Sequence, residues 1–172
     1  MHVRFETELG AFTVALAHDA APISCTNFLK YVDAGRYDGG RFHRSVRLDN
    51  QNRSDILIEV IQGGTNRSQK QKSFPAIALE RTRDTGLRHL DGTISMARGG
   101  VDSARSDFFI CIGPQPSLDF GGARNDDGQG FAAFGRVVQG MDVIRAIHKS
   151  PTKREQLTPA VTIRTASRSQ RP

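Results

Sequence analysis

What most restricts the fold of this chain is the ratio of strand-like to helix-like segments, and their order. Eight segments read as strands: 2–8, 11–17, 42–46, 56–62, 93–97, 107–113, 131–138 and 160–166. The first two alternate as a hairpin, with Val3, Phe5 and Thr7 on one side, then Phe12, Val14 and Leu16, and Gly10 near the turn. Only two stretches carry helical spacing. One opens at Pro22, buries Phe28, Leu29 and Val32 and stops at Gly35; the other is GMDVIRAIH at 140–148. Regular βαβ winding needs a helix after nearly every strand, so the pattern predicts an antiparallel sheet that closes on itself. The expected fold is mainly β, an eight-stranded closed antiparallel barrel capped by two α-helices. Between Gly63 and Thr93 the sequence is polar and poorly periodic, which predicts a long excursion over the surface.

A length of 172 residues fits one domain, here 1–166, followed by a short basic tail at 167–172. With 37% hydrophobic and 24% charged residues, wholesale disorder is excluded. The net charge of +6 raises the question of nucleic acid. Part of the excess lies in NRSQKQK at 66–72 and in the final RTASRSQRP, and neither interleaves basic with aromatic residues. No specific nucleic-acid partner is expected.

Cys25 and Cys111 are too few for a disulfide framework and lack metal-ligand spacing, which predicts two buried free thiols. No apolar run approaches the ~18 residues of a membrane span. The N-terminus reads as strand rather than signal peptide, so a cytoplasmic protein is expected; a periplasmic one whose export signal had been removed would read the same.

Familiar catalytic motifs fail one by one. DFG at 119–121 has no glycine-rich loop or HRD segment with it. NDDGQG at 125–130 lacks the alternating acidic ligands of a calcium loop. The histidines at 2, 18, 43, 89 and 148 form no HxxxH or HxH pair, and neither GxSxG nor GxxxxGK[ST] is present. No metal and no cofactor are expected. What remains is an arginine in a strand: in GGRFHRSVR, strict alternation puts Phe42, Arg44 and Val46 on one face. In 56–62, Gln62 ends an apolar row of Ile56, Ile58 and Val60. In DFFICIG, Asp107, Phe109 and Cys111 share one face and Phe108, Ile110 and Ile112 the other, so both faces are partly apolar and one needs a cover.

The series YDGGRFHR, VIQGG, GTISMARGG, SDFFICIG, SLDFGG and GFAAFGRVVQGMDVI resembles the cyclophilin family of peptidyl-prolyl isomerases, in order and nearly end to end, and in particular its bacterial branch. The resemblance implies the same barrel with two capping helices. It also implies that Arg44 is the catalytic group in a groove on the outside of the barrel. Val60, Ala97, Phe109 and Leu118 would then form the proline pocket, with Gln62 beside Arg44, Arg98 presenting backbone to the peptide, and Phe42, Asp107 and Phe131 also on the substrate. Its partners would be proline-containing peptides and unfolded protein segments, and the chain is expected to be a monomer.

The sequence departs from the family pattern at several of these positions. Glu59 and Val60 stand where an aromatic and a methionine are common, Asp107 where a glutamine is common and Phe131 where a histidine is. Ser117 stands where a tryptophan is frequent, so weak or no binding of cyclosporin A is expected. Two rival functions follow: a peptide-binding module with little turnover, suggested by Glu59 and Ser117, and nucleic-acid binding, which would show steep salt dependence.

Overall fold

Alternating apolar residues set the first hairpin, and in a computed structural model the rest of the barrel is built onto it; the structure describes residues 1–67 and 73–170. β1 (His2–Thr7) and β2 (Gly10–Leu16) pair antiparallel from His2↔Ala15 to Thr7↔Gly10, and Val3, Phe5, Phe12 and Val14 turn inward, fully buried. Phe5 and Phe12 stack across the hairpin, centroids 4.8 Å apart. The chain continues through α1 (Pro22–Asp33), β3 (Arg41–Val46), β4 (Val60–Gly64), α2 (Thr82–Thr85), β5 (Thr93–Met96) and β6 (Phe108–Cys111). A 3-10 turn (Pro116–Leu118), β7 (Ala133–Gln139), α3 (Met141–Lys149), β8 (Thr152–Lys153) and β9 (Gln156–Ser169) complete it.

Around the barrel the order is β1-β2-β7-β5-β6-β4-β3-β9, every pair antiparallel, and β9 pairs back onto β1. Eight strands therefore close the ring, as expected, and the two-residue β8 hangs on β9. Closure leaves no free edge among these eight. The interior is aromatic: Phe108 packs against Phe5, Phe28, Tyr37 and Phe42 at centroid distances of 5.5–5.8 Å. α1 covers one opening with Phe28, Leu29 and Val32, and α3 covers the other with Ile144 and Ile147. Gly140 precedes α3 at φ +85°, where a Cβ would run into the Ala11 carbonyl, so the helix can start there only from glycine.

The excursion after β4 is more than a surface loop. α1 has no side-chain cap of its own, and the Glu80 carboxylate accepts from the backbone N–H of Ile23 (3.0 Å) and Ser24 (2.7 Å) instead. Phe74, Ile77 and Leu87 pack against the core, and residues 82–85 form a helical turn that the sequence pattern did not show. Of the basic NRSQKQK segment, residues 68–72 lie outside the described residues, as do 171–172 of the tail.

Two strands differ from expectation by more than two residues at an end. The strand expected at 56–62 begins only at Val60, because the Gln51 side chain takes both the N–H and the carbonyl of Ile58. The last strand runs over Gln156–Ser169 rather than 160–166, since Ser167, Arg168 and Ser169 supply the backbone partners of β1. The first three residues of the expected tail thus belong to the barrel. Both cysteines are free and buried; burial pushes the Cys25 thiol up to about 12 and the Cys111 thiol higher still.

Candidate active site

β3 begins inside the barrel and ends outside it. Phe42 pairs with Gly63 and Arg44 with Gln62, so His43 is an extra residue, and this bulge reverses the parity that strict alternation assigns. Phe42 is fully buried against Phe12 and Phe108 and does not reach the groove, contrary to the expectation for it. Arg44 faces out, and Val46 joins an outer apolar cluster with Ile58, Val60, Phe109, Cys111 and Leu118. Gly63 is required by the same crossing, because a Cβ there would lie 2.9 Å from the Phe42 ring.

Antiparallel register then lines up one row of side chains across four strands: Arg44 opposite Gln62, Gln62 opposite Phe109, Phe109 opposite Ser95. A pocket of 140 Å³ opens over this row. It is lined by Arg44, Val60, Gln62, Ala97, Arg98, Phe109, Leu118 and Phe131, eight residues expected from the sequence, together with Ile58 and Arg124. The volume is well below the ~300–1,000 Å³ of a drug-sized ligand site and suits one small side chain. Asp107 stands apart, in an adjoining 310 Å³ pocket that shares Gln62, Ala97 and Arg98.

The arginine is held from two sides. Its Nε and Nη2 donate to Glu155 Oε2 at 2.9 and 2.7 Å, and Nη1 donates to Gln62 Oε1 at 3.0 Å. Glu155 is itself fixed, with Oε1 accepting the backbone N–H of Asn52 at 3.2 Å. An arginine has five N–H donors. Three are engaged here, which leaves one on each terminal nitrogen without a partner among the described residues.

Arg98 is fixed as firmly at the other end of the pocket. Its Nε donates to the Gly130 carbonyl, its two terminal nitrogens grip Asp127 at 2.9 Å each, and its guanidinium lies 5.3 Å over the Phe131 ring. That grip holds the Asp127 carboxyl below its usual range. Phe131 meets Phe109 edge-on at 5.2 Å, closing the apolar wall.

Beneath Phe109 lies a polar strut that the sequence did not reveal. His89 stacks on the Phe109 ring at 5.8 Å, its Nδ1 lies 2.6 Å from Asp119 Oδ1, and its Nε2 lies 2.9 Å from Ser95 Oγ. The connectivity is that of a hydrolytic triad, but Ser95 is fully buried and no substrate carbonyl can reach it. Burial works to raise the Asp119 carboxyl, yet bonds from the His89 ring and backbone N–H together hold it below its usual value. Asp119→Ala would leave both His89 donors unpaired and is expected to cost about 1–3 kcal/mol by denaturant unfolding. Because the folded carboxyl titrates lower, its contribution is complete above the unfolded value of 3.8 and is lost as pH falls through the folded one. A wild-type and a variant unfolding curve that coincide at pH 7 would refute this role.

Sequence reasoning missed Glu155, Arg124, His89 and Asp119. Glu155 lies 111 residues from Arg44, in a turn with no local signal, and Arg124 lies in a stretch legible only as loop. Ile58 belonged to the apolar row that ends at Gln62, which was a usable signal.

The chain is similar to known proteins over most of its length. The family described as cyclophilin type peptidyl-prolyl cis-trans isomerase/CLD matches residues 2–168. The chain is 38% identical over 153 residues to peptidyl-prolyl cis-trans isomerase A of Dickeya dadantii, covering 88% of this chain and 73% of that one. It is 36% identical over 146 residues to peptidyl-prolyl cis-trans isomerase cyp18 of Streptomyces antibioticus, covering 84% and 81%. Among solved structures, a cyclophilin type peptidyl-prolyl cis-trans isomerase of Cryptosporidium parvum, crystallised in the presence of the dipeptide Ala-Pro, superimposes with a TM-score of 0.79. That match has 20% identity and covers 99% of this chain and 100% of that one, a likeness of fold. With a family match over nearly the whole chain and relatives above one-third identity, this protein belongs to the cyclophilin family of peptidyl-prolyl cis-trans isomerases.

Proposed function

We propose that Arg44 is the catalytic group of this isomerase, acting on X-Pro bonds in peptides and in unfolded or flexible protein segments, and so assisting folding. The observation that carries the reading is the pair of N–H groups, unpartnered among the described residues, on an otherwise immobilised guanidinium at the rim of a small apolar pocket.

An X-Pro amide rotates slowly because resonance opposes twisting by ~18–20 kcal/mol. No covalent bond forms or breaks during rotation, so no nucleophile and no acid or base are required. The site has only to bind the twisted amide better than either planar isomer, each ~1.4 kcal/mol of difference giving a tenfold rate increase. Twisting returns a lone pair to the prolyl nitrogen, which becomes a hydrogen-bond acceptor. A guanidinium N–H already aimed at that position stabilises the twisted form without reorganising. Phe109, Phe131, Leu118, Val60 and Ala97 hold the proline ring while the other side of the bond turns. Glu155 and Gln62 act through Arg44, as positioning residues that fix the plane of its guanidinium.

Ser117, in place of a frequent tryptophan, supports weak or no cyclosporin A binding. Among the described residues no helix is long and apolar enough to cross a membrane. A monomer acting in the cytoplasm on peptide alone is the reading we favour.

The test is catalysis of cis-trans isomerisation of a short Ala-Pro peptide by the purified chain, followed by a protease-independent NMR exchange measurement. Turnover at least tenfold above the spontaneous rate at micromolar enzyme is expected. A rate equal to the spontaneous one, with peptide still bound, would instead establish a binding module.

A further inference from the structure

Each arginine around the proline pocket holds a carboxylate of the protein, with one exception. Arg44 grips Glu155 at 2.7 Å, Arg98 grips Asp127 at 2.9 Å, and Arg53 grips Asp55 at 2.7 Å. Arg124, which lines the same 140 Å³ pocket, has no carboxylate partner among the described residues. Its Nη1 donates to the Ile56 carbonyl at 2.7 Å and lies 3.5 Å from Gln51 Oε1. Those contacts tether one terminal nitrogen against the loop before β4. Nε and Nη2 have no hydrogen-bond acceptor among the described residues.

Arg124 is half-buried, beside two arginines that are each already paired with a carboxylate. Partial burial and the fields of Arg44 and Arg53 disfavour its charge, and Glu155 and Asp55 only partly offset them. A half-buried guanidinium with spare donors and no carboxylate of its own gains from an incoming anion. The position beside a pocket sized for one proline ring defines which anion. The side chain of a residue flanking the bound proline would pass the rim where Arg124 lies.

We infer that Arg124 is a specificity-determining residue that makes the enzyme prefer prolines flanked by a glutamate or aspartate side chain. The inference rests on the reading of this pocket as the proline site and goes beyond it, because the groove's other arginines are already neutralised and would give no such preference. Arg124 selects among substrates and takes no part in the rotation itself.

The experiment uses two series of short Ala-Pro-based peptides, with Glu, Gln or Lys placed either directly before or directly after the proline. Isomerisation kcat/KM is measured for each in low-salt buffer, and affinity by titration calorimetry gives the same ratios independently of turnover. With the wild type, Glu should exceed Gln by about three- to tenfold at one flank, the scale of a partly exposed ion pair, with Lys below Gln. The Glu/Gln ratio should fall toward one in Arg124→Gln and as salt is raised to about 0.5 M, where screening lengths shrink to a few ångströms. In Arg124→Glu the preference should turn to Lys. Equal values for Glu, Gln and Lys at both flanks would overturn the inference, as would a Glu preference that survives in Arg124→Gln. If no peptide is turned over at all, the calorimetric ratios still decide this inference, while the isomerase mechanism fails separately.

Discussion

Arg44→Ala is expected to lower kcat/KM on an Ala-Pro peptide about 100-fold, the usual scale for removing one preorganised donor from a developing acceptor, and to leave KM nearly unchanged. The asymmetry follows from the division of labour in the site. On the proposed mechanism, Phe109, Leu118 and Phe131, which line the pocket, hold the ring in both ground and transition states, while the guanidinium matters only when the amide is twisted. Arg44→Lys should recover little, since a lysine offers a point charge and cannot bond to Glu155 and Gln62 together while still facing the substrate. Glu155→Ala should reduce kcat/KM by roughly tenfold in the wild-type background and have no further effect in the Arg44→Ala background, because a residue that works only through another is silent once the other is gone. An Arg44→Ala variant that unfolds at the wild-type temperature and keeps more than half the wild-type activity would eliminate the mechanism.

Phe108→Ala is expected to cost about 3–5 kcal/mol of stability, the range for emptying a large buried aromatic site. Its ring meets four others, and those rings belong to β1, α1, β3 and the segment before β3, so no single neighbour can move to fill the space. For a chain of this length such a loss corresponds to a fall in Tm of roughly 10 °C. Thermal unfolding of the variant is the check. A shift of less than about 3 °C would mean that the interior collapses around the missing ring and is less rigidly packed than the ring geometry implies.

The two predictions draw on opposite faces of adjacent residues in β6, and the sequence made that contrast legible. DFFICIG reads directly as a strand with Phe108 to one side and Phe109 to the other, and both are where alternation puts them. Alternation failed in β3, where the bulge at His43 sends Phe42 inward and Arg44 outward. A bulge leaves no mark in residue type when the inserted residue is as unexceptional as histidine. The barrel was legible because its strands carry local period-two patterns, and closure followed from the scarcity of helices. Family motifs named eight of the residues that line the small pocket. The residues that tune it were not legible, because Glu155, Asp119 and Arg124 reach the site from turns, and a turn's sequence records its backbone needs rather than the distant side chain it will meet.

The pairing of β9 with both β1 and β3 has a consequence for a chain emerging from the ribosome. β1 and β3 each wait with an open edge until residues 156–169 follow. Glu155 stands immediately ahead of that strand, so the carboxylate that orients Arg44 arrives together with the closing strand. A nascent chain that has already made its arginine and its glutamine therefore lacks the carboxylate that takes two of the three hydrogen bonds holding the guanidinium. On the proposed mechanism, an isomerase of this architecture is expected to reach full activity only once its own barrel has shut.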